Sequence, residues 1–584
     1  MQADVVVTES SPKMGWGSDI VAELLRRLGI KYVCINPGSS FRGLHDSLVN
    51  YLGNAGPALL LSLHEQSVVA IAHGYYKACG EPMAVVLHSN VGLMAGMMSI
   101  FNAWCDRVPI IVLGATGAVD SAVRRNWIDW NHTFRDQGAL VRHFVKWDEQ
   151  PATPRATVDA LLRAYQSACT APCGPAYVIL DRRLQEDPLK EPITLPEIDR
   201  YKPRGSTAPS KHMLDRAAAL LSGAKRPVML LGRMSQDRKD WDTRIRLAER
   251  LNARVVTDLR MGASFPTEHP LHSGPADLFL SPQNKELLAG ADVVLSLDWY
   301  DLADTLAQAA CRAKIIHASI DSQAHNAFSG DHQRLAAIDL EIPVRPDDLL
   351  EPLLAELGTA PSTIAAPLLA AAPKGPSAAA ADSIPTLADI GLSFSRLREG
   401  RRITLARLPL NWPAQTYPFR EPLDYLGYDG GGGVGSGPGM TVGAALALSD
   451  KDRLVVGIMG DGEFIGASSA LWTAAHYKIP LLIVVANNRS YFTDEIQQEQ
   501  VAQERKRPVV NRWIGQRIDN PPVDIAGLAR DMGVAAEGPV ARVADLDAAL
   551  ARGLATVEAG HPCLVDVLVD PTRGASFDWL AGHA

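Results

Sequence analysis

Apolar positions cluster along this chain in short runs rich in β-branched residues. Each run is closed by a turn signal and followed by a longer amphipathic stretch. The runs include KYVCIN (31–36), MAVVLHSN (83–90) and VPIIVLGA (108–115), then RPVMLLG (226–232), ARVVTDL (253–259) and ADVVLSLD (291–298). Last come DRLVVGIMGDG (452–462), IPLLIVVANN (479–488) and CLVDVLVD (563–570). Continuous apolar strands of this kind are those of parallel sheets covered on both faces. Their alternation with helical stretches predicts an α/β fold, built as doubly wound parallel-sheet domains.

Two breaks divide the pattern. LKEPITLPEIDRYKPRGSTAPS (189–210) is rich in proline and polar residues, and an Ala/Pro/Ser tract over 358–383 has too little bulky apolar surface for a core of its own. The expected units are therefore an N-terminal domain over 12–188, a central domain over 206–357, a linker over 358–383 and a C-terminal domain over 384–575. No short repeat of the solenoid or propeller kind is present.

Composition changes this picture little. A chain of 584 residues with 47% hydrophobic and 21% charged positions exceeds a single core. A net charge of −8 gives no general attraction to nucleic acid or to an anionic membrane. The N-terminus lacks the pattern of a signal peptide, and no apolar run reaches the roughly 20 residues that span a bilayer. Seven scattered cysteines do not read as a disulfide framework. A cytoplasmic setting, with neither nucleic acid nor membrane as partner, is the expectation.

The chemistry concentrates in the last unit. One strand runs into Gly460-Asp461-Gly462; residues 463–486 follow, and a second strand ends at Asn487-Asn488, then Arg489-Ser490-Tyr491. A carboxylate and an amide oxygen are thus placed at the carboxyl ends of two strands, where open α/β sheets bind ligands. Oxygen ligands suit a hard cation such as Mg²⁺, which usually keeps phosphate oxygens in its shell. The glycines permit close backbone approach, and a helix beginning near Glu463 offers free N–H groups to phosphate.

Gly-Asp-Gly, a gap of this length and Asn-Asn at a strand end together resemble the diphosphate–magnesium motif of thiamine-diphosphate-dependent enzymes. The resemblance implies that Asp461 and Asn488 ligate Mg²⁺ through side chains and Ser490 through its carbonyl, with Gly460, Gly462 and Glu463 lining the diphosphate. Glu463 stands where a small residue is usual, so its side chain is expected to turn away. The tract Gly430–Gly435 also satisfies G-x-G-x-x-G, but no β-rich run immediately precedes it, so dinucleotide binding is a weak reading. In the resembling family a comparable tract holds the pyrimidine ring; Gly432 would meet the 4′-amino group by its carbonyl, and Val434 would be the apolar wedge that bends the cofactor. Glu65, between a strand and a small-residue helix, would be the glutamate that hydrogen-bonds the aminopyrimidine. Taken alone it reads better as an N-cap or solvated helix-start acid; with Gly-Asp-Gly downstream, the functional reading prevails. The family places this glutamate and the magnesium motif on opposite sides of a subunit boundary, implying a homodimer at least and usually a tetramer.

Two segments narrow the resemblance to a branch that includes benzoylformate decarboxylases and acetolactate synthases. Asn36-Pro37-Gly38-Ser39 follows the first strand, and the implied role of Ser39 is contact with the substrate carboxylate. His88 ends another strand, and its implied role is proton transfer, for which imidazole is suited by a pKa near neutrality. A turn-forming serine and a satisfied strand-end histidine are the competing readings. A stretch typical of the family's central domain occurs at Phe265-Pro266-Thr267-Glu268-His269-Pro270. There are departures too: Asp298, Trp299 and Tyr300 stand where the decarboxylases carry a second active-site histidine. Asp494 and Glu495 follow Ser490-Tyr491, either as helix-start acids or as polar groups at the substrate end. Arg505-Lys506-Arg507 reads as a solvated helix end.

The expected reaction is non-oxidative decarboxylation of a small 2-oxo acid. The alternative is carboligation as in acetolactate synthases, or cleavage of an acyloin, a diketone or a 2-hydroxyacyl thioester. Thiamine diphosphate and Mg²⁺ are the expected cofactors; no segment suggests FAD. A non-catalytic subunit that kept the fold is disfavoured, because both halves of the cofactor site are retained.

Overall fold

A computed structural model describes residues 4–8, 13–203, 205, 207–323, 332–358 and 381–573. Most of the expected linker, 359–380, lies outside them, as do the outermost expected boundary positions 12, 206, 574 and 575.

Among the described residues all sixteen strands pair in parallel, in three sheets. The first sheet holds β1 (Tyr32–Ile35), β2 (Ala58–Leu61), β3 (Met83–Leu87), β4 (Ile110–Thr116), β5 (Trp147–Glu149) and β6 (Ala176–Asp181), in the order β2-β1-β3-β4-β6-β5. The second holds β7 (Pro227–Leu231), β8 (Arg254–Thr257), β9 (Val293–Leu297), β10 (Lys314–Ala318) and β11 (Leu340–Ile342), in the order β11-β10-β9-β7-β8. The third holds β12 (Ile403–Arg407), β13 (Leu454–Gly460), β14 (Leu482–Asn487), β15 (Ala535–Val540) and β16 (Cys563–Leu568), in the order β12-β13-β14-β16-β15. Every apolar run singled out from the sequence is a strand, and those at sheet centres are buried along their length, as double coverage by helices requires. Among the described residues no helix is long and apolar enough to cross a membrane.

The first and third sheets share a core. Its seam is the crossing of helices Glu65–Cys79 and Gly437–Ala447, where Val68, Ile71 and Ala72 meet Val442, Ala445 and Leu446. Both helices are rich in small residues, and at Gly74 an added Cβ would lie 2.0 Å from the Met440 carbonyl oxygen, so the two backbones touch. This crossing sets where Glu65, first residue of one helix, stands relative to the glycine tract just ahead of the other. The second sheet has separate cores on its two faces. It is strapped to the third through Thr267, whose N–H donates to the Phe419 carbonyl and whose hydroxyl accepts the Phe419 N–H at 3.0 Å.

Candidate active site

The ends of β13 and β14 open onto a cavity of about 250 Å³ lined by Gly460, Asp461, Gly462, Asn488, Ser490 and, across from them, Gly432 and Val434. The motif and the glycine tract, separate segments of the sequence, are thus brought to one place. β13 ends at Gly460 and the next helix begins at Asp461, slightly earlier than the sequence suggested. Gly462 leaves room for the Tyr491 ring, which a Cβ there would approach to 2.6 Å.

Asp461 is buried, and burial raises its carboxyl to about 6 against the hydrogen bonds it accepts from backbone N–H groups, including those of Gly462 and Arg489. Among the described residues no basic side chain pairs with it. A desolvated carboxylate without a cation, beside the Asn488 side chain in a cavity, fits a hard divalent ion. The two asparagines have different surroundings. Asn487 is buried and donates to Asp566 at 3.0 Å, which holds the strand end; Asn488 lines the cavity and its Oδ1 accepts the Ser490 N–H at 2.9 Å.

The Ser490 hydroxyl donates to Glu495 Oε1 at 2.5 Å and also stands 3.5 Å from the Gln516 carbonyl. Glu495 is 1% exposed and faces Arg517 at 3.3 Å and Arg512 at 3.5 Å, so it fastens the turn at Ser490 to the segment that wraps back over it. It stands in the first turn of helix Phe492–Glu504, as a helix-start acid does, but buried. Asp494 does line the cavity, and Arg505, Lys506 and Arg507 are exposed.

Glu463 is in the cavity lining and engages Arg407 and the helix start behind the glycine tract. Its carboxylate lies 3.1 Å from Arg407 Nε and accepts the Gly437 N–H at 3.0 Å. Arg407, at the end of β12, also approaches Asp429 at 3.3 Å; Asp429 in turn accepts the Gly432 N–H at 2.9 Å and the Ser436 hydroxyl at 2.6 Å. One buried guanidinium therefore ties together the strand end, the glycine tract and the helix after Gly-Asp-Gly. Burial opposes its charge, but Glu463 and Asp429 outweigh that and raise its pKa. The sequence reading passed over Arg407 and Asp429. The available signals were a basic residue ending an apolar strand and an acid directly before a glycine run.

Glu65, His88 and Ser39 do not line this cavity. They sit on the N-terminal sheet, where Glu65 and His88 are close enough to interact electrostatically. Glu65 is half-buried, its Oε1 2.9 Å from where a Cβ on Gly92 would stand, so the glycine makes the room. His88 packs its ring on Gly38, and its Nδ1 lies 2.7 Å from the hydroxyl of Ser40. Ser39 is exposed and Ser40 buried, held by Gln185 at 3.0 Å. Burial, then His132 and Arg125, lower His88 to about 4, although Glu65 acts in the other direction, so the imidazole is neutral at pH 7. His132 meets it edge-on at 4.4 Å between ring centroids. A second histidine thus stands beside His88, from the loop after β4, where no motif marked it. Asp298 instead pairs with Arg107 at 2.6 Å, and Tyr300 lies under Arg233 and Arg260; both are remote from the cavity lining.

The two halves are linked within the chain by Gln66, whose Nε2 donates to the Val434 carbonyl at 3.2 Å, and by Asn102, whose Oδ1 accepts the Gly433 N–H at 3.4 Å.

Comparison with known proteins agrees with this geometry. Residues 15–140 match the N-terminal TPP-binding domain of thiamine pyrophosphate enzymes, residues 214–336 their central domain and residues 409–567 their C-terminal TPP-binding domain. The chain is 28% identical over 571 residues to a benzoylformate decarboxylase of Pseudomonas aeruginosa, covering 93% of this chain and 97% of the relative. It is 25% identical over 589 residues to a probable acetolactate synthase large subunit of Methanocaldococcus jannaschii, covering 95% and 92%. Among solved structures, a putative thiamin diphosphate-dependent enzyme from Mycobacterium smegmatis superposes with a TM-score of 0.77 at 23% identity, covering 96% of this chain and 100% of that one, and supports the shared fold. With all three family domains present in order, the chain belongs to the thiamine pyrophosphate enzymes.

Proposed function

We propose that this enzyme catalyses the non-oxidative decarboxylation of a small 2-oxo acid. The observation that carries the reading is His88: a neutral imidazole anchored at Nδ1 by Ser40, its other nitrogen left for proton transfer, beside Glu65. Loss of carbon dioxide leaves a carbon that must be protonated, and a neutral Nε2–H, present when the Ser40 hydroxyl donates to Nδ1, is such a donor. When bound, thiamine diphosphate supplies a nucleophilic carbon and a ring that holds the electron pair released with carbon dioxide.

The roles of this chain's residues follow from their settings. Asp461 and Asn488 side chains and the Ser490 carbonyl hold Mg²⁺, and Gly460, Gly462 and the start of the helix at Asp461 receive the diphosphate. Gly432 and Val434 hold the pyrimidine end, and Val434, 58% exposed in the single chain, presents an apolar surface for it. Glu65 hydrogen-bonds the aminopyrimidine of a cofactor held by a second copy. Apolar Leu63, Val91 and Met94, each more than 40% exposed around Glu65 and His88, support burial of this face in a homodimer; pairs of dimers would make the tetramer. Ser39, exposed at the same face, is the candidate contact for the substrate carboxylate, with Ser40 and His132 as positioning residues for His88.

A second reading, carboligation or acyl cleavage, is favoured by Asp494 and Thr493 in the cavity lining, which make one end polar. The deciding experiment supplies the enzyme with thiamine diphosphate and Mg²⁺. It then measures carbon dioxide release from a panel of 2-oxo acids, benzoylformate among them, against aldehyde release from acyloins. Carbon dioxide with the matching aldehyde supports the proposal; acyloin cleavage without decarboxylation would replace it.

A further inference from the structure

We infer that Arg407, Tyr428 and Asn411 form a donor wall that grips the diphosphate of the cofactor. The inference rests on the thiamine diphosphate reading and extends it to residues that no motif marks. Buried polar atoms nearly always have partners, and leaving one unpaired costs the full desolvation of that group. Here three such atoms without partners occur on residues lining one cavity, the one that also exposes Gly460 and Asp461.

Arg407 is 6% exposed. Its Nε and Nη2 are taken by Glu463 and Asp429, while Nη1 has no partner. The two carboxylates fix the plane of the guanidinium and keep it ionised, which leaves Nη1 as a preorganised cationic donor. Tyr428, 7% exposed, stacks its ring at 4.3 Å from the same guanidinium carbon, and its hydroxyl is also unpartnered. Burial raises that phenol, so it stays an O–H donor. Asn411 has an unpartnered Oδ1, and a turn of its terminal amide would present the NH₂ group instead.

Two of the three are firm donors, one of them charged, and all stand at the β12 end beside the helix start at Asp461. Phosphate oxygens satisfy that set; charge-assisted bonds to them are among the strongest a side chain makes. Asp429 and Glu463 add a coupling: each also holds a backbone N–H of the glycine tract or of the helix behind it, so filling Arg407 steadies the pyrimidine end as well.

The test is calorimetric titration of apoenzyme with thiamine diphosphate plus Mg²⁺, and separately with magnesium pyrophosphate, which carries the anion without the rings. Tyr428→Phe keeps the ring on Arg407 and removes only the hydroxyl. It should weaken both ligands by about fivefold, the factor for one hydrogen bond, with no loss of apoenzyme melting temperature, because the hydroxyl has no protein partner. Asn411→Ala should behave alike. Arg407→Met should weaken both more than tenfold, but it strands two buried carboxylates, so the milder pair carries the decision. Unchanged affinity in both mild variants, or loss confined to thiamine diphosphate, overturns the inference. If the wild-type enzyme itself binds no thiamine diphosphate, the cofactor reading falls with it; if the wild type binds and the variants match it, only the donor wall falls.

Discussion

Adding one methyl group at the crossing of helices Glu65–Cys79 and Gly437–Ala447 should damage this enzyme, against the usual sign. In a helix interior, Gly→Ala ordinarily stabilises by roughly 1 kcal/mol. At Gly443, however, the new Cβ would stand 1.9 Å from the Ile71 carbonyl oxygen, and at Gly74 2.0 Å from that of Met440. Carbon and carbonyl oxygen tolerate about 3.3 Å, so the helices must part by roughly 1.3 Å. A gap of that size forfeits about half of the dispersion energy along the seam, and overpacking a rigid site costs about 1–3 kcal/mol or more. Here the obstacle is backbone, so the upper end applies, and Gly74→Ala should be destabilised by about 2 kcal/mol after the propensity gain. Differential scanning fluorimetry of apoenzyme would show a lower first transition. Thiamine diphosphate binding should weaken too, since Gln66 and Val434 bridge the same two elements. Gly223→Ala is the control: its Cβ would meet only carbonyl oxygens at 3.6 and 3.8 Å, and its melting temperature should not move. A Gly74→Ala enzyme that melts at or above the wild-type temperature would refute the argument.

Further outcomes are expected elsewhere. Glu65→Gln should remove most turnover while thiamine diphosphate and Mg²⁺ still bind in calorimetry; full activity would take Glu65 out of the mechanism. Gly92→Ala should crowd the Glu65 carboxylate and lower turnover about tenfold, the equivalent of 1.4 kcal/mol; wild-type kinetics would show that this gap is unused. Asp461→Ala should abolish the rise in melting temperature that thiamine diphosphate and Mg²⁺ produce in the wild type; a preserved rise would exclude Asp461 as a metal ligand. Burial lowers His272 from 6.5 to about 4 in the folded enzyme, so the unfolded chain takes up a proton first as the solution is acidified. Its contribution is fully present above pH 6.5 and is lost as pH falls towards 4, on the order of 3 kcal/mol in all. His272→Gln should flatten that limb of the melting temperature against pH, and an unchanged slope would assign it to other groups.

The sequence alone determined the parallel α/β architecture and marked the Gly-Asp-Gly and Asn-Asn turns as the candidate metal site. Buried parallel strands need uninterrupted apolar runs, and a diphosphate–metal turn needs glycine, carboxylate and amide within two short stretches, so both are written locally. Glu65 and the glycine tract were legible as candidates for the same reason. What the tertiary structure decided were contacts between segments far apart in the chain. Ser40 rather than its neighbour Ser39 reaches His88, because a single turn of 3₁₀ helix buries one and exposes the other. His132 comes to His88 from a loop 44 positions on, with no pattern to announce it. Glu495 was readable as a helix-start acid until the wrap-back of Arg512 and Arg517 buried it against Ser490. Arg407, Asp429 and Glu463 belong to three different segments, and only their convergence at the strand ends makes one buried charge network of them. A side chain's desolvation and its partners are properties of the packed whole, which is why local pattern locates the cofactor but not the groups that tune it.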